Sequence, residues 1–250
     1  MANQKGGVGK TTTVACLGVA YAELGERVLL VDLDPQACLS FSLGVEPRDL
    51  KTTVHQVMLG HAEAADAVQS MPEGVDLLGA GIELAGCEAM LAPMVRREHR
   101  LGDALAAASS EYDQILIDCP PTLGLLTING LVAADSLLVP VQAELLAFRG
   151  VDQLLDTVEY EVQADHNPLL RVLGVLPTQY DPRTKHAKQV IGAIGSTYGL
   201  PVLEPTIPRS VRFAEAPAHG RSALSTARRS RGAAAYRELA RRLLGRHSDD

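Results

Sequence analysis

A glycine-rich segment near the start of the chain, Lys5-Gly6-Gly7-Val8-Gly9-Lys10-Thr11-Thr12, runs directly into a stretch with helical apolar periodicity. Glycines let successive backbone N–H groups turn inward around an anion, and the N-terminus of a following helix adds partial positive charge. Lys10 is expected to reach the β- and γ-phosphates of a nucleotide, and the Thr11 hydroxyl is expected to ligate magnesium. A glycine-rich turn before a helix is the plain alternative. The segment predicts that residues 5–12 bind ATP and Mg²⁺.

A second lysine distinguishes this phosphate loop from the general G-x-x-x-x-G-K-[ST] pattern. Gln4 occupies the position of the first glycine, and Lys5 follows it. A lysine so near the phosphates is either a second charge clamp or a solvated loop residue. The residues alone do not decide between these two interpretations.

Carboxylates stand at the ends of two predicted strands. Asp32 and Asp34 end the strand Arg27–Leu33, and Asp118 ends the strand Gln114–Cys119. The carboxyl ends of parallel strands form the ligand-binding edge of an open sheet. A magnesium nucleotide site needs an acid that holds the metal through water, and hydrolysis needs an acid that orients the attacking water. For Asp34, which precedes a proline, a simple turn is the alternative.

Short apolar runs alternate with helical stretches along the whole chain. The predicted strands are Arg27–Leu33, Gln114–Cys119, Ser136–Val141 and Val172–Thr178, and the predicted helices are Lys10–Leu24, Arg97–Ser109, Leu125–Ala133, Val151–Ala164, Lys185–Tyr198 and Ala233–Leu244. This alternation predicts an α/β fold with a doubly wound, mostly parallel sheet and helices on both faces. Residues 45–95 are expected to form short helices around one edge. One domain is expected over residues 1–250.

The sequence before the phosphate loop is short. Only Met1-Ala2-Asn3-Gln4 precede Lys5, although a phosphate loop normally follows a central strand. We expect residues 1–4 to form at most a stub, so that the first strand of the sheet is truncated. The neighbouring strands would then expose backbone groups and apolar faces, and the chain is expected to be less stable than a version extended by an apolar strand.

Charge is distributed unevenly along the chain. The formal net charge is -7, but residues 205–250 contain ten arginines and four acids, a balance of +6, which leaves -13 on residues 1–204. An arginine-rich C-terminal segment, residues 205–246, therefore belongs to an otherwise acidic domain, and it fits a phosphate-bearing partner. The four cysteines show no paired spacing, which indicates reduced thiols in a soluble cytosolic protein.

The phosphate loop with its extra lysine resembles the deviant Walker A loop of the ParA/Soj/MinD group of ATPases. The likeness to ParA/Soj chromosome and plasmid partitioning proteins extends over Val31–Gln36, Leu138–Glu144, Thr206–Arg209 and Ala214–Gly220. It implies a cytoplasmic, nucleoid-associated ATPase that forms a homodimer with ATP and binds double-stranded DNA without sequence preference. Its slow, Mg²⁺-dependent hydrolysis would be stimulated by a ParB-like partner, with no membrane involved.

The resemblance also implies roles for particular residues. Lys5 is expected to reach across the dimer to the partner's nucleotide, and Asp34 is expected to position the hydrolytic water. The expected catalytic residues are Lys5, Lys10 and Asp34; the expected metal site comprises Thr11, Asp34 and Asp118. Asp32 is expected to support the site.

Base and DNA contacts are assigned from the same resemblance. Adenine is expected near Pro208, Arg209 and the turn that follows the strand Val172–Thr178. The residues expected to contact DNA are Arg183, Arg209, Arg212, Arg221 and Arg228. Ordinary solvated helix surface is the alternative for arginines, and Arg241 and Arg242 are expected to pair with Glu238 instead.

Three other classes of protein are alternatives. A MinD-like membrane-cycling ATPase would need bulky apolar anchors on its last helix, which here ends in the acidic tip Ser248-Asp249-Asp250. A reductase of the nitrogenase iron-protein type would need Cys87 and Cys119 as cluster ligands, but buried cysteines more often act as small hydrophobes. A metal-cluster carrier would call for a CxxC motif, which the sequence lacks.

Overall fold

A computed structural model describes residues 1–144 and 147–247 of the chain. Six strands lie in this part: β1 (Val28–Asp32), β2 (Val68–Ser70), β3 (Asp76–Leu78), β4 (Gln114–Asp118), β5 (Ser136–Gln142) and β6 (Arg171–Thr178). They form a four-stranded sheet in the order β2-β3-β1-β4 and a two-stranded sheet, β5-β6. Every pair is parallel except β2 with β3, so the expected mostly parallel sheet is confirmed.

The helices of the described residues follow the expected alternation with the strands. They are α1 (Lys10–Glu23), α2 (Cys38–Ser42), α3 (Val54–Leu59), α4 (Ala64–Ala67), α5 (Cys87–Leu91), α6 (Arg100–Leu105), α7 (Leu125–Val132), α8 (Ala147–Thr157), α9 (Lys185–Tyr198), α10 (Val211–Glu215), α11 (Ala223–Thr226) and α12 (Arg231–His247). A π-helical segment, Val158–Gln163, continues α8. Short 3₁₀ segments lie at Pro47–Asp49, Ile82–Gly86, Arg97–His99, Ser109–Glu111 and Ala216–His219.

Strand β1 lies between two apolar layers. All five of its residues are buried, and Leu29 and Val31 face one cluster while Val28 and Leu30 face the other. Alternation of side chains along a strand sends neighbours to opposite faces, which is why a continuous apolar run marks a strand covered on both sides. Helices α3, α6 and α7 contribute to the first cluster, and α1 and α12 contribute to the second. The predicted doubly wound α/β class is therefore confirmed.

Helix α1 packs very closely on the sheet beneath it. A Cβ atom at Gly18 would lie 2.5 Å from Leu30 Cδ2, so this position admits no larger residue without a shift. The helix is buried along most of its length, from Thr13 to Tyr21. Because α1 begins at the phosphate loop, this packing fixes the loop at the carboxyl edge of β1.

The expectation for residues 45–95 was wrong in one respect. Short helices do occur there, but β2 and β3 also lie in this region, and β3 pairs with β1 inside the sheet. Strand β3 has three residues and begins with Asp76, so it carries too short an apolar run to be recognised as a strand. Its position is set by the pairing of Leu77 with Leu30, which is a tertiary contact.

Residues 1–3 occupy one end of a gap between β4 and β5. The Met1 ammonium donates to the Ile117 carbonyl at 2.5 Å, and the Cys119 N–H donates to the Met1 carbonyl at 3.2 Å, as in a parallel ladder. Asn3 Nδ2 donates to the Pro140 carbonyl of β5 at 2.7 Å. Residues 1–4 form no strand, in keeping with the expected stub.

The rest of this gap is a cavity of about 550 Å³, which we call the strand slot. Its walls include residues 114–117 of β4 and 136–138 of β5, with Leu17 and Tyr21 of α1 on one face and Leu105 of α6 on the other. The sheet is therefore divided in two at the place where a strand leading into the phosphate loop would lie.

Candidate nucleotide site

The phosphate loop joins the stub to α1 with its backbone open to solvent on one side. Gly7 and Gly9 have φ angles of 74° and 85°, in the left-handed region that favours glycine. Gly6 and Gly7 are exposed, whereas Val8 is buried beneath them. Gly9 is the N-cap of α1 and has no side chain to cap the first turn, so the free N–H groups of the helix remain available to an anion.

The two lysines of the loop have different environments. Lys10 is 6% exposed, its Nζ lies 3.5 Å from the Lys5 carbonyl oxygen, and burial lowers its pKa despite the neighbouring Asp118. The side chain of Lys5 is 31% exposed and forms an ion pair with Glu144, which follows β5. Lys10 is therefore placed inside the loop, and Lys5 lies at its surface.

The acids that end β1 differ in their hydrogen bonding. Asp32 is fully buried and accepts hydrogen bonds from the Asp34 N–H at 3.1 Å, the Ser40 N–H at 2.9 Å and the Ser40 hydroxyl at 2.8 Å. These bonds fold the connection from β1 to α2, which is a supporting role. Asp34 is half-buried and accepts one bond, from the Gln36 N–H at 2.9 Å. Its carboxylate is therefore free to take a further partner.

Asp118 is the most unusual acid of the site. It lies level with Asp32 in the pairing of β4 with β1 and is completely buried, yet neither carboxylate oxygen has a hydrogen-bond partner among the described residues. Burial raises its pKa to about 6, and the nearby Thr11 hydroxyl and Lys10 ammonium offset that shift only in part. Buried acceptors without partners are rare in native proteins, so this carboxylate fits a water-bound cation.

Magnesium is compatible with this donor set. No group of three or more His, Cys, Asp or Glu side chains in residues 1–144 and 147–247 could hold a metal ion by itself. Mg²⁺ usually keeps several waters and is bound through one or two carboxylates together with substrate phosphates. The Thr11 hydroxyl and Asp118 therefore fit such an ion, and Asp34 is available beside them.

Strand β6 supplies loop contacts that the sequence did not predict. The Thr178 hydroxyl donates to the Val8 carbonyl at 2.6 Å, and Gln179 Nε2 donates to the Gly7 carbonyl at 2.7 Å. Gln179 has a φ of 48°, in the left-handed region that is strained for residues other than glycine. Polar residues at the carboxyl end of a predicted strand were the only signal that could have indicated these contacts.

The segments expected near adenine lie side by side. The Tyr180 N–H donates to the Ile207 carbonyl at 2.9 Å, and Tyr180 forms an isolated parallel β-bridge with Pro208. The turn after β6 and the Pro208–Arg209 segment are therefore adjacent. Because Gln179 also contacts the loop, these segments border the phosphate site.

The expected DNA-contacting arginines, Arg183, Arg209, Arg212, Arg221 and Arg228, are all exposed. Arg212 forms an ion pair with Glu215 at 2.9 Å, and Arg183 and Arg209 emerge just beyond the paired segments of residues 180 and 208. Arg228 lines one shallow surface pocket with Arg229, Arg237 and Glu23. As expected, Arg241 and Arg242 pair with Glu238, at 3.2 and 3.0 Å.

The last helix is tied to the helix of the phosphate loop. The Tyr236 hydroxyl lies 2.9 Å from the Thr13 hydroxyl, and Arg237 Nη2 donates to Glu23 at 2.8 Å. The apolar face of α12, which includes Ala233, Tyr236 and Leu239, is buried in the core. This face is therefore not available to a membrane. None of the described helices is long and apolar enough to cross a bilayer, and residues 248–250 lie outside the described part.

The iron–sulfur alternative finds no support at the cysteines. Cys87 and Cys119 are both buried in the core, and burial raises the pKa of Cys87 to about 11. Cys119 packs against the backbone of α7, where a Cβ at Gly130 would lie 2.8 Å from its sulfur. Both residues act as small hydrophobic side chains in this structure.

Stability in the absence of metal is expected to fall as pH rises from about 4 to about 7. Burial raises the pKa of Asp32 to about 7 and that of Asp118 to about 6. The folded state therefore binds more protons than the unfolded state in this window, and the free energy of unfolding decreases as they leave. Urea unfolding in EDTA at several pH values measures the slope.

The matched comparison for this prediction is Asp32→Asn, which removes one of the two titrating carboxyls. The slope of stability against pH is expected to become shallower in the variant. Mg²⁺ with ATP is expected to flatten the slope in the wild type, because a cation favours the ionised carboxylate. A wild-type slope of the opposite sign, or one that Asp32→Asn leaves unchanged, would contradict the assignment.

A glycine-rich loop entering a helix, a buried lysine and strand-end acids on a doubly wound sheet define a P-loop nucleotide-binding protein. A family model described as "AAA domain" matches residues 1–172. The sporulation initiation inhibitor protein Soj of Bacillus subtilis is 46% identical over 240 residues, 96% of this chain and 94% of that protein. The chromosome partitioning protein ParA of Caulobacter vibrioides is 43% identical over 252 residues, 100% of this chain and 94% of that protein. The chain belongs to the ParA/Soj family of P-loop ATPases.

A solved structure extends this likeness to three dimensions. The protein described as cobyrinic acid a,c-diamide synthase from Mycobacterium smegmatis, with bound ATP analog and magnesium, is 50% identical in sequence. The two structures agree with a TM-score of 0.88 over 100% of this chain and 94% of that one.

Proposed function

We propose that this chain is an ATPase of chromosome or plasmid segregation that dimerises with ATP, binds DNA without sequence preference and is stimulated by a ParB-like partner. The observation that carries the proposal is the different burial of the two loop lysines: Lys10 is buried in the loop, and Lys5 lies at its surface. A surface lysine at a phosphate loop is suited to a nucleotide bound by a second copy. The chromosome partitioning protein ParA of Caulobacter vibrioides and the chromosome-partitioning ATPase Soj of Thermus thermophilus, both similar to this chain, support the same function.

Nucleotide binding would depend on the loop and the start of α1. The inward backbone N–H groups of residues 6–10 and the helix N-terminus bind phosphates, and the Lys10 ammonium neutralises their charge. The Thr11 hydroxyl and Asp118 would hold Mg²⁺, which supplies neutralisation of charge on the phosphate oxygens when it is bound. The base would lie near Pro208 and Arg209, beside the turn that follows β6.

Hydrolysis requires a group that orients water for in-line attack. Asp34 is the best placed acid for this step, because it lies just after β1 and its carboxylate can accept further hydrogen bonds beside the one from Gln36. Asp32 holds the Asp34 backbone in position through its 3.1 Å hydrogen bond. A second lysine, Lys5 from the other copy, would stabilise the charge that develops on the transferred phosphoryl group.

DNA binding would be controlled by dimerisation. Affinity for phosphates depends on how many cations contact the backbone at once, and two copies present twice the arginine surface. The arginine-rich segment is attached to the nucleotide site through α12, which packs on α1. ATP would therefore change DNA affinity mainly by joining two patches.

DNA binding is expected with ATP and Mg²⁺ and is expected to be at least tenfold weaker with ADP or no nucleotide. Asp34→Ala is expected to retain the ATP-dependent binding, because it removes the hydrolytic acid and leaves the phosphate contacts. Fluorescence anisotropy with a random-sequence duplex measures both effects. Equal affinity for DNA with ATP, with ADP and without nucleotide would contradict the proposed control of DNA binding by ATP.

Arginine variants locate the DNA surface. Arg221→Ala is expected to weaken binding to all sequences alike and to reduce the salt slope of log K by about one. Arg241→Ala is the matched control, because it removes the same charge from an arginine already paired with Glu238. An equal change in both variants would show that general charge, and not this surface, governs the affinity.

Amide synthesis is a second candidate function, favoured by the description of the 50% identical structure. Ammonia release from glutamine by a thiol would need an activated cysteine. Burial raises the pKa of Cys16 to about 12, and burial also raises that of the exposed Cys38. ATP turnover that rises with cobyrinic acid and glutamine, and not with DNA and a ParB-like protein, would favour this candidate.

A further inference from the structure

The ion pair between Lys5 and Glu144 joins the surface of the phosphate loop to the connection after β5. The two side chains are 31% and 48% exposed. The Glu144 N–H donates to the Gln142 carbonyl at 2.8 Å, and the Glu144 carbonyl accepts from the Ala147 N–H at 2.9 Å. The carboxylate is therefore presented to Lys5 from a hydrogen-bonded backbone.

The backbone of Lys5 is anchored to the same strand. Its N–H donates to Asn3 Oδ1 at 2.9 Å, and Asn3, which is 3% exposed, donates to the Pro140 carbonyl of β5 at 2.7 Å. Both the main chain and the side chain of Lys5 are thus connected to β5 and its extension. By contrast, Lys10 has no carboxylate at hydrogen-bond distance among the described residues, and its ammonium lies near the loop backbone.

We propose that Glu144 is a latch that neutralises Lys5 in the single chain and must release it before Lys5 can bind a phosphate. A lysine bound to a carboxylate is not available to a phosphoryl group, so the two anions compete for one cation. This inference rests on the proposed function, in which Lys5 acts on the nucleotide of a second copy. An exposed ion pair contributes little free energy. Releasing Lys5 from Glu144 therefore weakens dimerisation by a few-fold and does not prevent it.

The test is Glu144→Gln, which keeps the shape of the side chain and removes its charge. The variant is expected to shift the monomer–dimer equilibrium toward the dimer by about two- to fivefold with a non-hydrolysable ATP analogue and Mg²⁺, as measured by sedimentation velocity. Glu111→Gln is the matched control, because this exposed acid precedes the amino end of β4, whereas Glu144 follows the carboxyl end of β5. Its dimerisation is expected to equal that of the wild type.

A double variant isolates the pair itself. In a Lys5→Met background, Glu144→Gln is expected to have no further effect, because the lysine that it releases is absent. Weaker dimerisation of Glu144→Gln than of the wild type would overturn the proposal and indicate that Glu144 contacts the second copy directly. An unchanged equilibrium would also overturn it.

A measurement on the nucleotide-free protein separates this inference from the proposed function. The chain has five lysines, so the side-chain ammonium signals can be assigned by substitution in NMR spectra. Glu144→Gln is expected to move the Lys5 signal alone. If the wild type does not dimerise with ATP, the proposed function fails, whereas an unmoved Lys5 signal means that the latch itself does not exist.

Discussion

Replacing Lys10 with alanine is expected to weaken binding of ATP and Mg²⁺ by about 100-fold or more. Lys10 is 6% exposed, and burial lowers its pKa, so its ammonium is poorly solvated before a phosphate arrives. Each charge-assisted hydrogen bond to a phosphate contributes about 1.5–3 kcal/mol, and Lys10 is expected to make at least one with each of two phosphates. Isothermal titration calorimetry with ATP measures the loss.

Lys5→Ala provides the comparison within the same loop. We expect it to change the affinity of the single chain for ATP by less than about threefold, because the Lys5 side chain is 31% exposed and paired with Glu144. Circular dichroism must show that Lys10→Ala is folded, since it removes a cation that lies near Asp118. If the two substitutions weaken ATP binding equally, the buried and surface lysines do not have the separate roles assigned to them.

Adding five or six β-branched apolar residues before Met1 is expected to raise the melting temperature by roughly 10 °C or more. The strand slot has a volume of about 550 Å³ and is lined by β4 and β5. An added strand would bury its apolar side chains in the slot and hydrogen-bond to β4 and β5, which is expected to exceed the cost of ordering the residues, about 1–2 kcal/mol each. The net gain appears as added stability.

The hydrogen-bonding register of an added strand is already determined by Met1. Met1 pairs with β4 through the Ile117 carbonyl and the Cys119 N–H, so preceding residues would continue the same parallel ladder. An extension of equal length made of glycine and serine is the control, because it adds backbone without apolar side chains. No difference in melting temperature between the two extensions would show that the slot does not accept a strand.

The parts of the site that follow from local sequence could be predicted. The loop glycines, Lys10 and Thr11 are adjacent in the chain, and Asp34 and Asp118 each follow a continuous apolar run. Their types and spacing carry the chemistry directly. The catalytic and metal roles of these residues remain predictions, although the unpartnered carboxylate of Asp118 is an independent reason to expect a cation.

The parts that depend on distant pairing could not be predicted. Glu144 contacts Lys5 across 139 positions of sequence, and Thr178 contacts Val8 across 170. The sequence did not predict strand β3, because its three residues form a strand only through their pairing with β1. Local periodicity contains no information on such contacts, because the partner determines them and not the residue's own neighbourhood.

The hydrogen bond between Thr13 and Tyr236 spans 223 positions of sequence. During synthesis the N-terminal part of a chain leaves the ribosome long before its end, so α1 must wait for α12 to be made before its buried face can be covered. The phosphate loop begins that same helix. We expect a ribosome-bound nascent chain to acquire ATP binding only after residue 247 has emerged, so that the nucleotide site and the arginine-rich C-terminal segment are completed at the same moment.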